Sequence, residues 1–311
     1  MIRQPFYWLP EIINLYKQTE MKNGFYPALG TPTDENGKLN ENSYSRQIDL
    51  MISSGASGVL CMGSMGNMVS VRNIEYPKIA LTCVKTVANR IPVMVGVMDC
   101  SVMRILDRID ALNNIEIEGV VATPPYYYKP NAGEMKNFFS LIAKRSKYPV
   151  FIYDLPPVTQ APVTIDVVTS LMKINNIKGI KTANLNMILD LMRNNVIRND
   201  FSIFYSGLDS FDAAIKSEIK KNLDGMFTCT PYNSKMMYEN LENGDDIKIS
   251  NHLNNILKLR NTMLKEDIFP AYSFAMELLG CPGNYHPDFN NQVSEKLKEE
   301  IYHCMKSIKE I

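Results

Sequence analysis

A tyrosine and a lysine stand near the ends of two neighbouring apolar runs in the middle of the chain. PVFIYDLP (149–156) carries Tyr153, and IKGIKTA (177–183) carries Lys181. The stretch between them has helical spacing, so the two runs read as consecutive parallel strands of one βαβ unit. Adjacent strands lie about 4.8 Å apart, so equivalent ends bring the phenol and the amine to one rim. An amine with a buried stem can lose its proton and attack a carbonyl, and a phenol beside it can pass protons to and from the adduct. The pair points to Schiff-base chemistry. Lys178 opens its strand and reads as a solvated charge, whereas Gly179 and Ile180 place Lys181 inside the apolar run.

The elements that would position this pair repeat along the chain. Strand candidates lie at 24–32, 58–63, 92–98, 119–127, 149–156, 177–183, 201–208 and 225–229 (GMFTC). Helical spacing falls between them, at 46–54, 73–88, 101–113, 133–145, 165–172 and 185–192. Apolar strands alternating with helices imply a parallel sheet covered on both faces. Eight repeats predict a closed (β/α)8 TIM barrel, an α/β fold, and no GxGxxG follows the first strand to favour a dinucleotide fold. Three domains are expected: an N-terminal extension (1–23), the catalytic barrel (24–232) and a C-terminal helical region (233–311).

Composition excludes several function classes. The 33 Lys and Arg balance the 33 Asp and Glu, which gives no footing for nucleic acid or an anionic membrane. No apolar stretch reaches the ~18 residues of a membrane helix, and the first twenty residues lack the pattern of a secretory signal. The six cysteines are scattered without CxxC spacing and read as reduced thiols of a cytoplasmic protein. His252, His286 and His303 all follow the last strand candidate, so neither a histidine triad nor a histidine metal site is expected on the barrel rim.

A barrel of this kind works at the C-terminal ends of its strands. After strand 2, GSMGN (63–67) offers a glycine-framed turn around Ser64 and Met65 whose backbone N–H groups suit a carboxylate. After strand 4, TPPYYYKP (123–130) presents three tyrosines, a subunit-contact patch or a catalytic contribution to a neighbouring subunit. After strand 7 come Gly207 and Asp209, and after strand 8 the small polar residues Thr228, Cys229 and Thr230, with Cys229 an expected substrate contact.

Taken with ALGTPTDENGKLN (28–40), YDLP and GIKTA, these motifs resemble the pyruvate-dependent class I aldolases, the superfamily of dihydrodipicolinate synthase and N-acetylneuraminate lyase. The resemblance runs from about residue 24 to the C-terminus. It implies that Lys181 forms an imine with pyruvate or a 2-keto acid and that Tyr153 shuttles protons. Ser64 and the N–H of Met65 would hold the pyruvate carboxylate. Tyr127 would reach in from an adjacent subunit of a homo-oligomeric dimer or tetramer, and Thr182, Gly207 and Asp209 would contact the substrate tail. The partners are small molecules, pyruvate and an aldehyde, and no cofactor is implied.

Departures narrow the substrate. Met65 stands where the family has Thr, and Asn67 replaces a Glu. Val158 occupies the position of an Arg that binds a second carboxylate in the synthases, and Ser210 replaces an acidic residue of the sialate lyases. The expectation is therefore a carbon–carbon lyase acting on a 2-keto-3-deoxy sugar acid or similar 2-keto acid. Alternatives are 4-hydroxy-tetrahydrodipicolinate synthase or a keto-acid dehydratase on the same imine, and a barrel that binds a keto acid without turning it over.

Overall fold

The computed structural model describes residues 21–311. Eight short parallel strands form one sheet: β1 (Gly24–Pro27), β2 (Val59–Cys61), β3 (Val93–Gly96), β4 (Gly119–Ala122), β5 (Val150–Tyr153), β6 (Ile177–Thr182), β7 (Ser202–Tyr205) and β8 (Lys221–Asp224). The order is β1-β8-β7-β6-β5-β4-β3-β2. A parallel bridge between Ala28 and Leu60, with the Leu29 N–H donating to the Leu60 carbonyl at 2.9 Å, joins the two ends. The result is the expected (β/α)8 barrel. The N-terminal extension expected over 1–23 falls almost wholly outside the described residues.

Helices α1 (Glu41–Ser53), α2 (Tyr76–Val87), α3 (Val102–Ala111), α4 (Ala132–Arg145), the single turn α5 (Pro156–Thr159), α6 (Ile165–Met172), α7 (Leu185–Arg193) and α8 (Phe211–Lys216) alternate with the strands. Their starts are encoded locally. Asn40 and Asn184 accept backbone N–H groups of the first turns of α1 and α7, and Asn131 forms a reciprocal capping box with Glu134 at α4. Strand alternation sorts the apolar residues into two cores. Tyr26, Leu60, Met94, Val121, Phe151, Phe204 and Leu223 fill the barrel interior, while outward residues such as Val59, Val95, Val120 and Ile180 pack beneath the helices. Phe151 lies across the barrel: a Cβ on Gly119 would come within 2.5 Å of its ring, and one on Gly179 within 2.6 Å.

The eighth strand lies earlier than expected. KNLD, not GMFTC, pairs with β1, from Gly24 opposite Lys221 to Pro27 opposite Asp224. Its polar composition conceals it, because only Leu223 enters the inner core while Asn222 turns outward and accepts the Tyr238 hydroxyl. The apolar residues that follow are diverted. The Asp224 carboxylate accepts the Met226 N–H at 2.8 Å, and Met226–Cys229 coils into a 3-10 turn buried in the outer core.

Four C-terminal helices follow: α9 (Pro231–Glu242), α10 (Asp246–Met263), α11 (Ile268–Leu278) and α12 (Glu295–Ser307). They share the outer core with the barrel, since Leu253, Ile256, Tyr272 and Ile301 belong to the same buried cluster as Phe25 and Phe227. No described helix is long and apolar enough to cross a membrane. The chain end pins this region in place: Glu310 accepts the N–H groups of Tyr232 at 2.9 Å and Asn233 at 3.0 Å in the first turn of α9, and the Asn233 side-chain amide at 2.7 Å. Glu310→Ala therefore removes a helix cap and strands buried donors, and should lower stability by about 1–3 kcal/mol in urea unfolding.

Candidate active site

The sheet register places Tyr153 directly opposite Lys181 on β5 and β6. The Lys181 Nζ lies 4.0 Å from the centre of the Tyr153 ring, and both side chains are buried. A register shift produces this match. Val150 pairs with Ile177, but Phe151 pairs with Gly179, so Lys178 is the extra residue of a bulge. Lys178, expected as a solvated charge, lies on the outer face but is largely covered there and pairs with Asp200. Downstream of the bulge, Gly179 and Lys181 share the inner face with Phe151 and Tyr153.

The GSMGN turn after β2 meets the same point. The Ser64 hydroxyl, exposed at the mouth, donates to the Tyr153 oxygen at 3.4 Å. Thr31 donates to the Gly66 carbonyl at 2.8 Å, and Asn67, at φ 50°, donates to the Tyr285 carbonyl at 2.6 Å. The turn is thus held by the β1 loop and by the C-terminal region. Asn67 has a structural task here. Met65 leans towards the end of β8, where a Cβ on Gly225 would come within 2.9 Å of its own Cβ. Just past the end of β4, Thr123 is buried with its hydroxyl unpartnered, one residue beyond the Ala122–Ile152 pair.

Two expected contacts sit elsewhere. Thr182 is fully buried on the outer face, because alternation after Lys181 turns it away from the barrel interior. Its hydroxyl donates to Asp154 Oδ2 at 2.8 Å and accepts the Asn184 N–H at 3.0 Å. Asp154 also accepts the Val163 N–H at 2.9 Å, so it ties the loop after β5 to the end of β6. Burial pushes the Asp154 carboxyl above its ordinary range, and these two hydrogen bonds oppose the rise. Cys229 is fully buried in the outer core, where desolvation raises its thiol well above the usual range; it does not face the mouth. Tyr127, expected to enter a neighbouring subunit's site, is exposed and packs edge-on against Tyr128 at 4.9 Å.

The rim between β7 and β8 holds the remaining candidates. Gly207 leaves room for the Tyr205 phenol, which a Cβ there would meet at 2.2 Å. Asp209 is exposed, and both its oxygens are bound by Arg260 of α10 at 2.6 Å, a bond that holds the carboxyl below its ordinary range. Asp224 sits nearby at the end of β8. Desolvation raises its carboxyl, against the Met226 N–H bond and the charges of Lys181 and Arg260. Sequence reading missed Arg260 and Asp224: one lies on a helix outside the barrel, the other in the strand misplaced by a few residues.

Comparison with known proteins agrees with this architecture. A family model described as the Dihydrodipicolinate synthetase family matches residues 21–308. A 4-hydroxy-tetrahydrodipicolinate synthase of Bradyrhizobium diazoefficiens is 24% identical over 261 residues, 83% of this chain and 86% of that enzyme. One from Gluconacetobacter diazotrophicus is 27% identical over 192 residues, 62% of this chain and 65% of that enzyme, so the match spans about two thirds of that relative. The crystal structure of dihydrodipicolinate synthase from Thermotoga maritima superposes with a TM-score of 0.85 at 22% identity, covering 94% of this chain and 100% of that one.

Thr182→Val tests the tie behind Lys181. It removes a hydrogen bond to a buried carboxylate and should cost about 1–3 kcal/mol in urea unfolding. The lost bond favoured the ionised form of Asp154, so the folded-state pKa rises further above the unfolded one. A raised acid loses stability as pH climbs from the unfolded to the folded pKa. The deficit should therefore be larger near pH ~7 than near pH ~3, below the ordinary carboxylate range.

Proposed function

This chain belongs to the dihydrodipicolinate synthetase family and is an enzyme of the lyase class, and we propose that it makes or cleaves a carbon–carbon bond in a 2-keto-3-deoxy sugar acid or similar 2-keto acid through an imine on Lys181. The observation that carries this reading is the buried Lys181 amine 4.0 Å from the Tyr153 ring, with Tyr153 hydrogen-bonded to an exposed serine at the mouth. Lys181 Nζ attacks the ketone carbon of pyruvate, and the carbinolamine loses water to give the imine. Loss of a C3 proton moves the electron pair into an enamine, whose C3 attacks the aldehyde carbon. The aldehyde oxygen takes a proton by way of Tyr153, and hydrolysis frees the product and Lys181. Cleavage runs the same steps in reverse.

Ser64 and the Met65 N–H would hold the keto-acid carboxylate; among the described residues neither backbone N–H at this turn has a protein acceptor. Gly207 and Asp209 would flank the tail. The exposed Tyr127–Tyr128 pair supports a homo-oligomer in which Tyr127 enters a neighbour's site. A second reading, the 4-hydroxy-tetrahydrodipicolinate synthase reaction, is favoured by the names of the relatives. Against it, Val158 is an exposed apolar residue with no bidentate donor for a second carboxylate.

Borohydride added with pyruvate should trap one covalent adduct on Lys181, located by mass spectrometry, and Lys181→Ala should show none while keeping its circular dichroism. No adduct on the wild type would sink the imine. Tyr153→Phe should still be trapped but turn over roughly 10²–10⁴-fold more slowly, as expected for loss of a general acid–base. Pyruvate release from a panel of sugar-acid aldols then separates the two substrate readings: comparable or better turnover with aspartate semialdehyde would replace the first by the second.

A further inference from the structure

Arg260 projects from α10, a helix outside the barrel, to the rim between β7 and β8. Its guanidinium donates to both oxygens of Asp209 at 2.6 Å, and it also bonds Asn261 Oδ1, at 3.1 Å from Nε and 2.9 Å from Nη2. The arginine is largely covered, with a side-chain exposure of 19%, while Asp209 is open to solvent at 71%. The charges of Asp224 and Arg260 also act on one another, and Asp224 lies within electrostatic reach of Lys181. Of the two carboxyls, the guanidinium thus binds Asp209 alone and reaches Asp224 only through its charge. Its fork is spent on Asp209. What the rim presents outward is a carboxylate fixed in direction, an acceptor for hydroxyl donors.

We propose that Arg260 is a specificity-determining residue of this site: by clamping Asp209, it makes the rim between β7 and β8 select a hydroxylated, uncharged aldehyde tail over one that carries a carboxylate. The assignment rests on the aldolase reading above and extends it to a residue of the C-terminal helices. A fixed carboxylate binds a polyol with less ordering cost than a mobile one, because its rotamer is already set. A carboxylate-bearing tail meets the Asp209 carboxylate and finds the Arg260 guanidinium already occupied by it.

The test compares two aldehydes in condensation with pyruvate, glyceraldehyde and succinic semialdehyde, in the wild type, Arg260→Ala and Arg260→Lys. Asp209 is open to solvent, which screens the pair, so its loss should cost little stability and the variants should fold, which thermal melting checks. The wild type should prefer glyceraldehyde. Arg260→Ala should raise its KM for glyceraldehyde about tenfold or more with a much smaller change in kcat, and the preference should narrow. Arg260→Lys, with a point charge in place of the fork, should fall between. A loss confined to succinic semialdehyde would make Arg260 an anion anchor and overturn the assignment. So would equal losses for both acceptors, unchanged KM for both, or a wild type that takes neither. Borohydride trapping with pyruvate alone accompanies each variant: an adduct with unchanged acceptor KM overturns only the role of Arg260, whereas no adduct on the wild type overturns the aldolase reading beneath it.

Discussion

The one-residue register shift between β5 and β6 decides which lysine this barrel presents. Strand alternation allows only one of Lys178 and Lys181 on the inner face, since they are three residues apart. Continuing the Val150–Ile177 pairing without interruption would turn Lys178 and Ile180 inward and set Tyr153 beside Ile180. The bulge at Lys178 reverses that outcome. Asp200 holds the displaced Lys178 outside, and Arg198 also pairs with Asp200, so the bulge is braced by an ion-pair cluster on the outer surface. Gly179 then fits beneath the Phe151 ring, with no room for a Cβ. The amine and the phenol meet because a surface cluster and a core ring agree on one register.

Closure of the sheet makes that local choice into a site. The Ala28–Leu60 bridge brings the loop after β2 round to face β5, and Ser64 reaches Tyr153 from the far side of the mouth. The C-terminal helices complete the rim. Tyr285 accepts Asn67 and thereby fixes the β2 turn, while Arg260 fixes Asp209. Because these helices share a hydrophobic core with the barrel, the mouth has two supports: strand ends from within and helices packed from without.

The sequence made the barrel, its helices and the Tyr153–Lys181 pair legible, because apolar periodicity encodes burial and parallel strands end at a common rim. It did not reveal which face each rim residue takes. Thr182 adjoins Lys181 in the chain, yet alternation sends it outward to Asp154, and nothing in GIKTA alone announces the bulge that sets that phase. Cys229 went astray for a related reason. An apolar GMFTC looked like the final strand, but Asp224 caps a turn there and a polar KNLD carries the pairing. Arg260 was hidden because a lone basic residue on an amphipathic helix has the same pattern whether it faces water or reaches a rim.

Met65 shows why position matters more than residue type at this mouth. In the resembling enzymes a hydroxyl stands at this place and links tyrosines across subunits; here a thioether side chain packs against both the inner and outer cores and lies against Gly225. The substitution removes one hydroxyl from the proton path, but the bond between Ser64 and Tyr153 is retained, and Ser64 is exposed at the mouth. On the proposed reading, a proton on Tyr153 can exchange with solvent through that serine without crossing to another subunit.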